Sequence, residues 1–353
     1  MSSSDSISNN VDISFVIPVY NTDISLLTKC INCITNIKFG KYECVVIDDG
    51  SNHNNSLEYE NLCEKRANVR YYKQLNSGVS GARNAGIEIS KGRYIYFCDS
   101  DDQIIPTFFE EVRITDNYDI YFTKMIASMS TLKVETCGIE TESCKITRDK
   151  IFDSLLLCGF LNGPYCKLIK RSFLLNNNIK FDSKMKNGED LVFLLSMIRC
   201  NPSMYYVDAA SYIYHYDLNT RKNRVIKEPK RCLEDDEIVA NEMMQTAKEL
   251  GRSDIMLLES NITKNRINSI FLDATNIAGY AKNKLNTEVK TMYQKEMMRI
   301  DVSKVTAPTL RLKIEYDIIR SGHWVMLCLI SKVRKLYLEI RVKAPIYGKG
   351  DIE

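Results

Sequence analysis

Phe97-Cys98-Asp99-Ser100-Asp101-Asp102 decides the reading of this chain, because it sets three carboxylates directly after an apolar strand, Tyr94-Ile95-Tyr96-Phe97. A strand that ends in an Asp-x-Asp pair at the carboxyl edge of a sheet can hold a divalent cation against a diphosphate, which is the chemistry of sugar nucleotides. Alone, the cluster reads equally as a solvated loop or a helix N-cap. A second acidic pair, Asp48-Asp49-Gly50-Ser51, follows another apolar strand, Glu43-Cys44-Val45-Val46-Ile47, about fifty residues earlier. Two such strand ends point to one shared crevice.

Working outward, Ile13 to Val19 reads as a buried strand, and Asn21 to Ile37 carries Ile24, Leu27, Ile31 and Ile34 at helical spacing. The strand at 43–47, a polar helix near 54–67, a short strand from Val69 to Tyr72, a helix from about Ser80 to Ile89 and the strand at 94–97 follow. This alternation predicts an α/β fold, a mainly parallel sheet with helices on both faces. After Asp102, Pro106 opens a helix, Tyr118 to Phe122 and Leu132 to Cys137 read as strands, and Arg148 to Phe160 as an amphipathic helix. Residues 162–190 read as loop-rich, and Leu191 to Arg199 as a helix. Beyond about Leu218 the strand signals end, and helices are expected at 230–250, 253–280 and 285–299.

The 353 residues carry a net charge of +3, which excludes a broad polyanion binder on bulk charge, and no nucleic-acid partner is expected. The twelve cysteines lie in apolar stretches without regular spacing, so a disulfide framework is not indicated and a cytoplasmic location is. Cys30 and Cys33 form a single C-x-x-C inside a helical pattern, a poor zinc or redox site. Met1 to Asn10 is Ser/Asn-rich and reads as a disordered lead-in without a signal-peptide core. No apolar run reaches the ~18 to 20 residues of a spanning helix.

The motifs together resemble those of family 2 glycosyltransferases, which have the GT-A fold. They are Ser14-Phe15-Val16-Ile17-Pro18-Val19-Tyr20-Asn21, Asp48-Asp49-Gly50-Ser51, Asn76-Ser77-Gly78 with Ala82-Arg83-Asn84-Ala85-Gly86, Asp99-Ser100-Asp101-Asp102 and Gly188-Glu189-Asp190, in that order. The likeness runs from 13 to about 216 and implies a GT-A catalytic domain over 11–217, with a nucleotide-sugar half at 11–125 and an acceptor half at 126–217. A helical domain over 218–353 follows. The implied activity is inverting, metal-dependent transfer of a sugar from a nucleotide-diphosphate donor, a UDP-sugar, to a hydroxyl of a glycan or lipid-linked acceptor in bacterial surface-polysaccharide synthesis. A non-catalytic sugar-nucleotide or partner-binding module is the alternative. A nucleotidyltransferase would need a glycine- and lysine-rich first loop, which Pro18-Val19-Tyr20-Asn21 is not.

Each motif has its own physical reading. Pro18, Val19, Tyr20 and Asn21 leave the first strand where a nucleotide base can lie. Asp49 can accept hydrogen bonds from a base or ribose, or serve as a turn or helix-cap residue. The loop with Asn76 and Gly78, followed by Arg83, offers backbone N–H groups and a guanidinium to a diphosphate, or is a plain loop with a surface arginine. Asp99 and Asp101, with Ser100 between them, suit Mg2+ or Mn2+, whose remaining ligands are phosphate oxygens. Asp102 is read as a cap for the helix near Pro106. By resemblance Asp190 of the Glu189-Asp190 pair is the catalytic base, although a carboxylate there can also cap the next helix. His215, within Tyr212-Ile213-Tyr214-His215-Tyr216, is a candidate metal or phosphate contact or a satisfied, half-buried histidine, and Arg221 and Arg224 are candidate lid residues.

Between Arg311 and Lys343 the eight Lys/Arg outnumber the three Asp/Glu, a local excess greater than that of the whole chain. With Trp324-Val325-Met326-Leu327-Cys328-Leu329-Ile330 inside it, this stretch suits an interfacial helix on an anionic membrane, at the inner face of the cell membrane, or a helix packed in a core.

Overall fold

The computed structural model describes residues 12–343 except 39–40, 113–116, 130–131, 137–138, 140, 158, 216–224 and 282–285. Arg221 and Arg224 lie outside the described residues. The chain divides into two units, Met1–Tyr216 with Gln245–Arg252, and Asp217–Met244 with Ser253–Glu353.

The first unit begins with β1 (Ile13–Val19), α1 (Ile24–Thr35), β2 (Tyr42–Asp48), α2 (His53–Glu64), β3 (Val69–Lys73), α3 (Gly78–Ile89) and β4 (Tyr94–Phe97). Every residue of β1, β2 and β4 is buried, which is why these stretches read as unbroken apolar runs and not as alternations. Both sides of the sheet are covered. Phe15, Ile17, Val19, Cys44, Val46 and Tyr96 face a core shared with Leu27, Cys30, Ile31 and Ile34 of α1. The residues between them point the other way, where Val16 meets α3 at Gly86 and Phe97 packs edge-on against Phe181 and Phe193. Asp23 and Asn52 start α1 and α2 by accepting from the N–H of Ser25 and Asn55.

Next come β5 (Gln103–Ile104), α4 (Pro106–Glu111), β6 (Ile120–Met129), β7 (Leu132–Thr136), β8 (Cys144–Lys145), α5 (Arg148–Leu157), β9 (Lys167–Lys170), α6 (Arg171–Asn176), α7 (Glu189–Arg199) and β10 (Met204–His215). The sheet order is β3-β2-β1-β4-β9-β6-β10-β5, with β7 beside β6 and β8 beside β10. The β3-β2-β1-β4 half is parallel, and the other half mixes directions because β9 runs antiparallel to both β4 and β6. Four strands escape the sequence reading, the two-residue β5 and β8 and the longer β9 and β10. β9 is four residues long, too short for periodicity, and occupies part of the expected loop at 162–190. β10 has register shifts around Ala210 that break its alternation.

Buried carboxylates brace the parallel half. Glu43 accepts from the Ser14 hydroxyl (2.6 Å), the Lys91 N–H (2.5 Å) and Arg70 (2.7 Å). Asp48, at 0% exposure, accepts from the Ser51 N–H (2.8 Å) and from the hydroxyls of Ser56 and Tyr71 (2.6 Å each). Burial works to raise the Asp48 pKa, but the hydrogen bonds from Ser51, Ser56 and Tyr71 outweigh it and hold the carboxyl below the usual range.

The second unit is helical, with Pro229–Glu249 as far as Met244, Ile255–Ala281, Thr287–Arg299, Leu310–Arg320 and Trp324–Lys343. Its core joins Ile267, Ile270, Ile277, Tyr293, Met297 and Ile319. Leu327 is fully buried in that core, with Trp324 and Ile330 packed against it, so these three face protein. Val325, Met326, Leu329 and Val333 on the same helix are exposed. No helix among the described residues is long and apolar enough to cross a membrane.

Asp48→Ala is expected to cost about 1–3 kcal/mol of stability, because it strips a buried carboxylate from three donors. A carboxyl with a depressed folded-state pKa contributes stability that is present above its unfolded value and lost as pH falls through the folded one. The gap between wild type and variant in urea unfolding should therefore shrink from about pH 6 to about pH 2. A gap that stays constant would contradict the ionised, hydrogen-bonded carboxylate.

Candidate active site

The carboxyl ends of β1, β2 and β4 converge with the start of α3, the first turn of α7 and the end of β10. At their centre lies Arg83, only 4% exposed. Its Nη2 donates to Asp99 Oδ1 at 2.9 Å and its Nη1 to Asp190 Oδ1 at 2.7 Å, joining residues 107 apart in sequence. Burial disfavours the guanidinium charge, but the carboxylates of Asp190, Asp99 and Glu189 overcome this and hold the group protonated more firmly than usual. The cation also lies over the Phe181 ring, 5.4 Å from its centroid.

The surrounding motif explains how α3 can bury an arginine. A Cβ at Gly86 would lie 2.3 Å from Val16 Cγ1, so glycine lets α3 approach β1 this closely. Asn84 then brackets the backbone of Phe181, donating to its carbonyl and accepting from its N–H at 2.9 Å each. Phe181 in turn stacks on Phe193 of α7 at 3.8 Å. The sequence reading offers the Arg83 guanidinium to a diphosphate. The structure instead sets it between two carboxylates, with both Nη atoms engaged.

Pro18 and Val19 are buried within β1, so of that run Tyr20 and Asn21 offer side chains at the sheet edge, Tyr20 at 56% exposure. Asn21 has a left-handed backbone (φ 49°); its N–H donates to Ser51 Oγ and its side-chain oxygen accepts from Asn52. Asp49 does not cap a helix: its Oδ1 accepts from the Ser77 N–H and the Gln74 amide at 2.8 Å each, and its carbonyl accepts from Asn76. This ties the second strand to the loop leading into Gly78. Ser100 pairs with Thr22 at 2.8 Å.

Asp101 is exposed beside Asp99, whereas Asp102 is buried. Asp102 does not cap α4. Its oxygens accept from the Tyr212 hydroxyl (2.8 Å) and the His215 N–H (2.6 Å), and burial, then Asp99, pushes its pKa up to about 8. Glu189 is buried and Asp190 partly exposed in the first turn of α7, where the helix dipole favours negative charge. The N-cap itself is Gly188 (φ 77°), so neither carboxylate caps by a side chain. His215 Nε2 lies 3.2 Å from Gln103 Oε1. Among the described residues no three His, Cys, Asp or Glu side chains converge on one metal position. Cys30, of the C-x-x-C pair, instead approaches Cys98 Sγ at 3.5 Å inside the core.

Asp99, Asp190 and Glu189 all act on one guanidinium, and Asp101 adds a fourth carboxylate beside Asp99. Hard oxygens in excess of positive charge fit a divalent cation that arrives with phosphate ligands of its own, as opposed to a closed protein cage. Three residues here were not singled out from sequence. Lys186 is exposed, its Nζ 3.7 Å from where a Gly78 Cβ would stand. Tyr165 is half-buried and shares the field of Asp99 and Asp190, and Lys167 beneath it is fully buried. The positions of Tyr165 and Lys167 depend on β9 and the loop before it, which carried no sequence signal.

Residues 14–126 match the family model Glycosyl transferase family 2. The chain is 26% identical over 244 residues to an uncharacterized glycosyltransferase, YibD, of Escherichia coli (strain K12), covering 63% of this chain and 66% of that one. It is 34% identical over 191 residues to a poly(ribitol-phosphate) beta-glucosyltransferase of Bacillus spizizenii, covering 52% and 29%. The chain thus matches less than two thirds of the length of either relative. Among solved structures, S. aureus TarS 1-349 in complex with UDP-GlcNAc has the same fold, with a TM-score of 0.58 at 17% identity over 92% of each chain. With their motifs gathered at the carboxyl edge of such a sheet, residues 14–126 match glycosyl transferase family 2, within a domain of GT-A fold.

Proposed function

We propose that this protein transfers a sugar, with inversion, from a UDP-sugar to a hydroxyl of a glycan or lipid-linked acceptor in polysaccharide biosynthesis. The observation that carries this reading is the Arg83 bridge, which couples the Asp-x-Asp carboxylate Asp99 to the α7 carboxylate Asp190. The crystallised complex of TarS with UDP-GlcNAc and the glucosyltransferase name of the Bacillus relative support a UDP-sugar donor.

In this reading Asp190 takes the proton of the acceptor hydroxyl, the oxygen attacks the anomeric carbon, and the carbon–oxygen bond to the diphosphate breaks with its electron pair on the phosphate. Arg83 fixes the orientation of Asp190 while holding Asp99 toward the donor. Asp49, Tyr20 and Asn21 flank the nucleotide, and Asn76, Gly78 and Ser100 line the approach to the diphosphate. Lys186 stands over the start of α3, on the approach to the diphosphate. Asp99 and Asp101 would hold Mg2+ or Mn2+, which when bound offsets the charge of the leaving diphosphate. The exposed Val325, Met326, Leu329 and Val333 support peripheral attachment to an anionic membrane, on a helix face other than the one that packs in the core.

Asp190→Asn should lower UDP release from UDP-GlcNAc or UDP-glucose, with a cell-envelope glycan extract as acceptor, by at least ~100-fold while leaving UDP affinity unchanged. Near-normal turnover would remove Asp190 from the chemistry. For Asp101→Ala, calorimetry should find the Mn2+-dependent part of UDP binding gone, and an unchanged Mn2+ effect would count against the Asp-x-Asp assignment. The membrane reading expects full-length protein to float with phosphatidylglycerol vesicles at low salt and to detach at high salt, and Leu329→Glu with Val333→Glu to abolish flotation. Protein that stays in the soluble fraction at low salt overturns it.

A further inference from the structure

Lys167 takes no part in the transfer scheme, yet it is only 1% exposed. A buried ammonium must fill its donors, and this one does. Its Nζ donates to the carbonyls of Leu161 (2.9 Å), Gly163 (2.6 Å) and Tyr165 (3.2 Å), curling that segment around a single charge. Cys166, between Tyr165 and Lys167, is held in the left-handed region at φ 58°, a conformation a side-chain-bearing residue adopts only when its surroundings impose it. At Gly163 a Cβ would stand 2.2 Å from Tyr165 Cζ, so the loop leaves the space for that ring.

The Tyr165 ring fixed in this way stacks on Tyr212, centroids 4.9 Å apart and planes 14° from parallel, and tilts against Tyr214 at 5.4 Å. Tyr212 and Tyr214 alternate on β10 and project from one face of the strand, so the sheet side of the Tyr165 ring is covered. The residue is nonetheless partly exposed. Tyr212 ties the stack to the site, its hydroxyl accepting from the Asp99 N–H at 3.1 Å and donating to Asp102. Burial, then the charges of Tyr214, Asp99 and Asp190 among others, pushes the Tyr165 phenol pKa up, which puts its oxygen in the field of both site carboxylates.

We propose that Tyr165 is the aromatic platform for the sugar ring being transferred, and that Lys167 and Gly163 are positioning residues that hold it there. The inference rests on the glycosyl-transfer reading above. In that reading the anomeric carbon lies between a leaving group at Asp99 and an acceptor oxygen at Asp190, and Tyr165 stacks on Tyr212, whose hydroxyl accepts from the Asp99 N–H. The C–H face of a pyranose gains dispersion and electrostatic contact from an aromatic face, whereas a bare nucleotide does not reach it.

The test compares UDP with the tighter-binding of UDP-GlcNAc and UDP-glucose by calorimetry in Mn2+, using full-length protein. Tyr165→Ala should weaken the UDP-sugar about five- to tenfold and leave UDP unchanged, while Tyr165→Phe keeps both. Gly163→Ala, which moves the ring without touching the carboxylates, should show the same sugar-only loss, and Lys167→Met likewise where it folds. Equal effects on UDP and UDP-sugar, or none on either, overturn the platform alone. Wild-type protein that binds neither nucleotide overturns the donor reading and the platform with it.

Discussion

One guanidinium holds this site together. Arg83 is buried, stays charged because Asp99 and Asp190 sit at 2.9 and 2.7 Å from it, and joins the end of β4 to the start of α7. A buried cation without such partners would be costly, and two carboxylates drawn together without the cation would repel. The rest of the catalytic unit is arranged to permit this triad. Gly86 lets α3 lie against β1, Asn84 locks the Phe181 backbone, and Phe181 and Phe193 shield the guanidinium from water on one side. Screening is weak for such a partly buried group, so the geometry persists at ordinary ionic strength.

From this constraint the electrostatics of the site follow. Burial, then the nearby Asp99, pushes the Asp102 carboxyl pKa up to about 8, while Tyr212 and His215 hold it in place. Asp99, Asp101, Glu189 and Asp190 nevertheless leave a negative excess around a single arginine. A diphosphate entering alone would meet repulsion, and the donor set suits a phosphate-bound divalent cation.

Much of the fold was legible because buried parallel strands are written as continuous apolar runs. Ile13–Val19, Tyr42–Asp48 and Tyr94–Phe97 carry that signature, and the motif residues at their ends could be picked out before any coordinates. What sequence concealed was pairing across long separations. Nothing local distinguishes Arg83 as a diphosphate ligand from Arg83 as a bridge, since its partners lie 16 and 107 residues away. Asp102 looked like a cap because Pro106 follows, but Tyr212 and His215 of β10 claim it, and β10 itself is masked by its broken register. Charge and an apolar run likewise marked the stretch around Trp324 as an interfacial or a core helix without telling which of its faces, Trp324 and Leu327 or Val325 and Leu329, would be covered.

The most direct test of the bridge is to measure donor turnover and UDP affinity together in Arg83→Lys and Arg83→Met, with thermal unfolding confirming that each variant is folded. A residue that orients Asp190 and Asp99 should lose turnover by at least ~100-fold while UDP affinity with Mn2+ changes only a few-fold, because lysine cannot span two carboxylates with a planar fork. UDP affinity that falls in step with turnover would contradict the bridge and return Arg83 to the diphosphate.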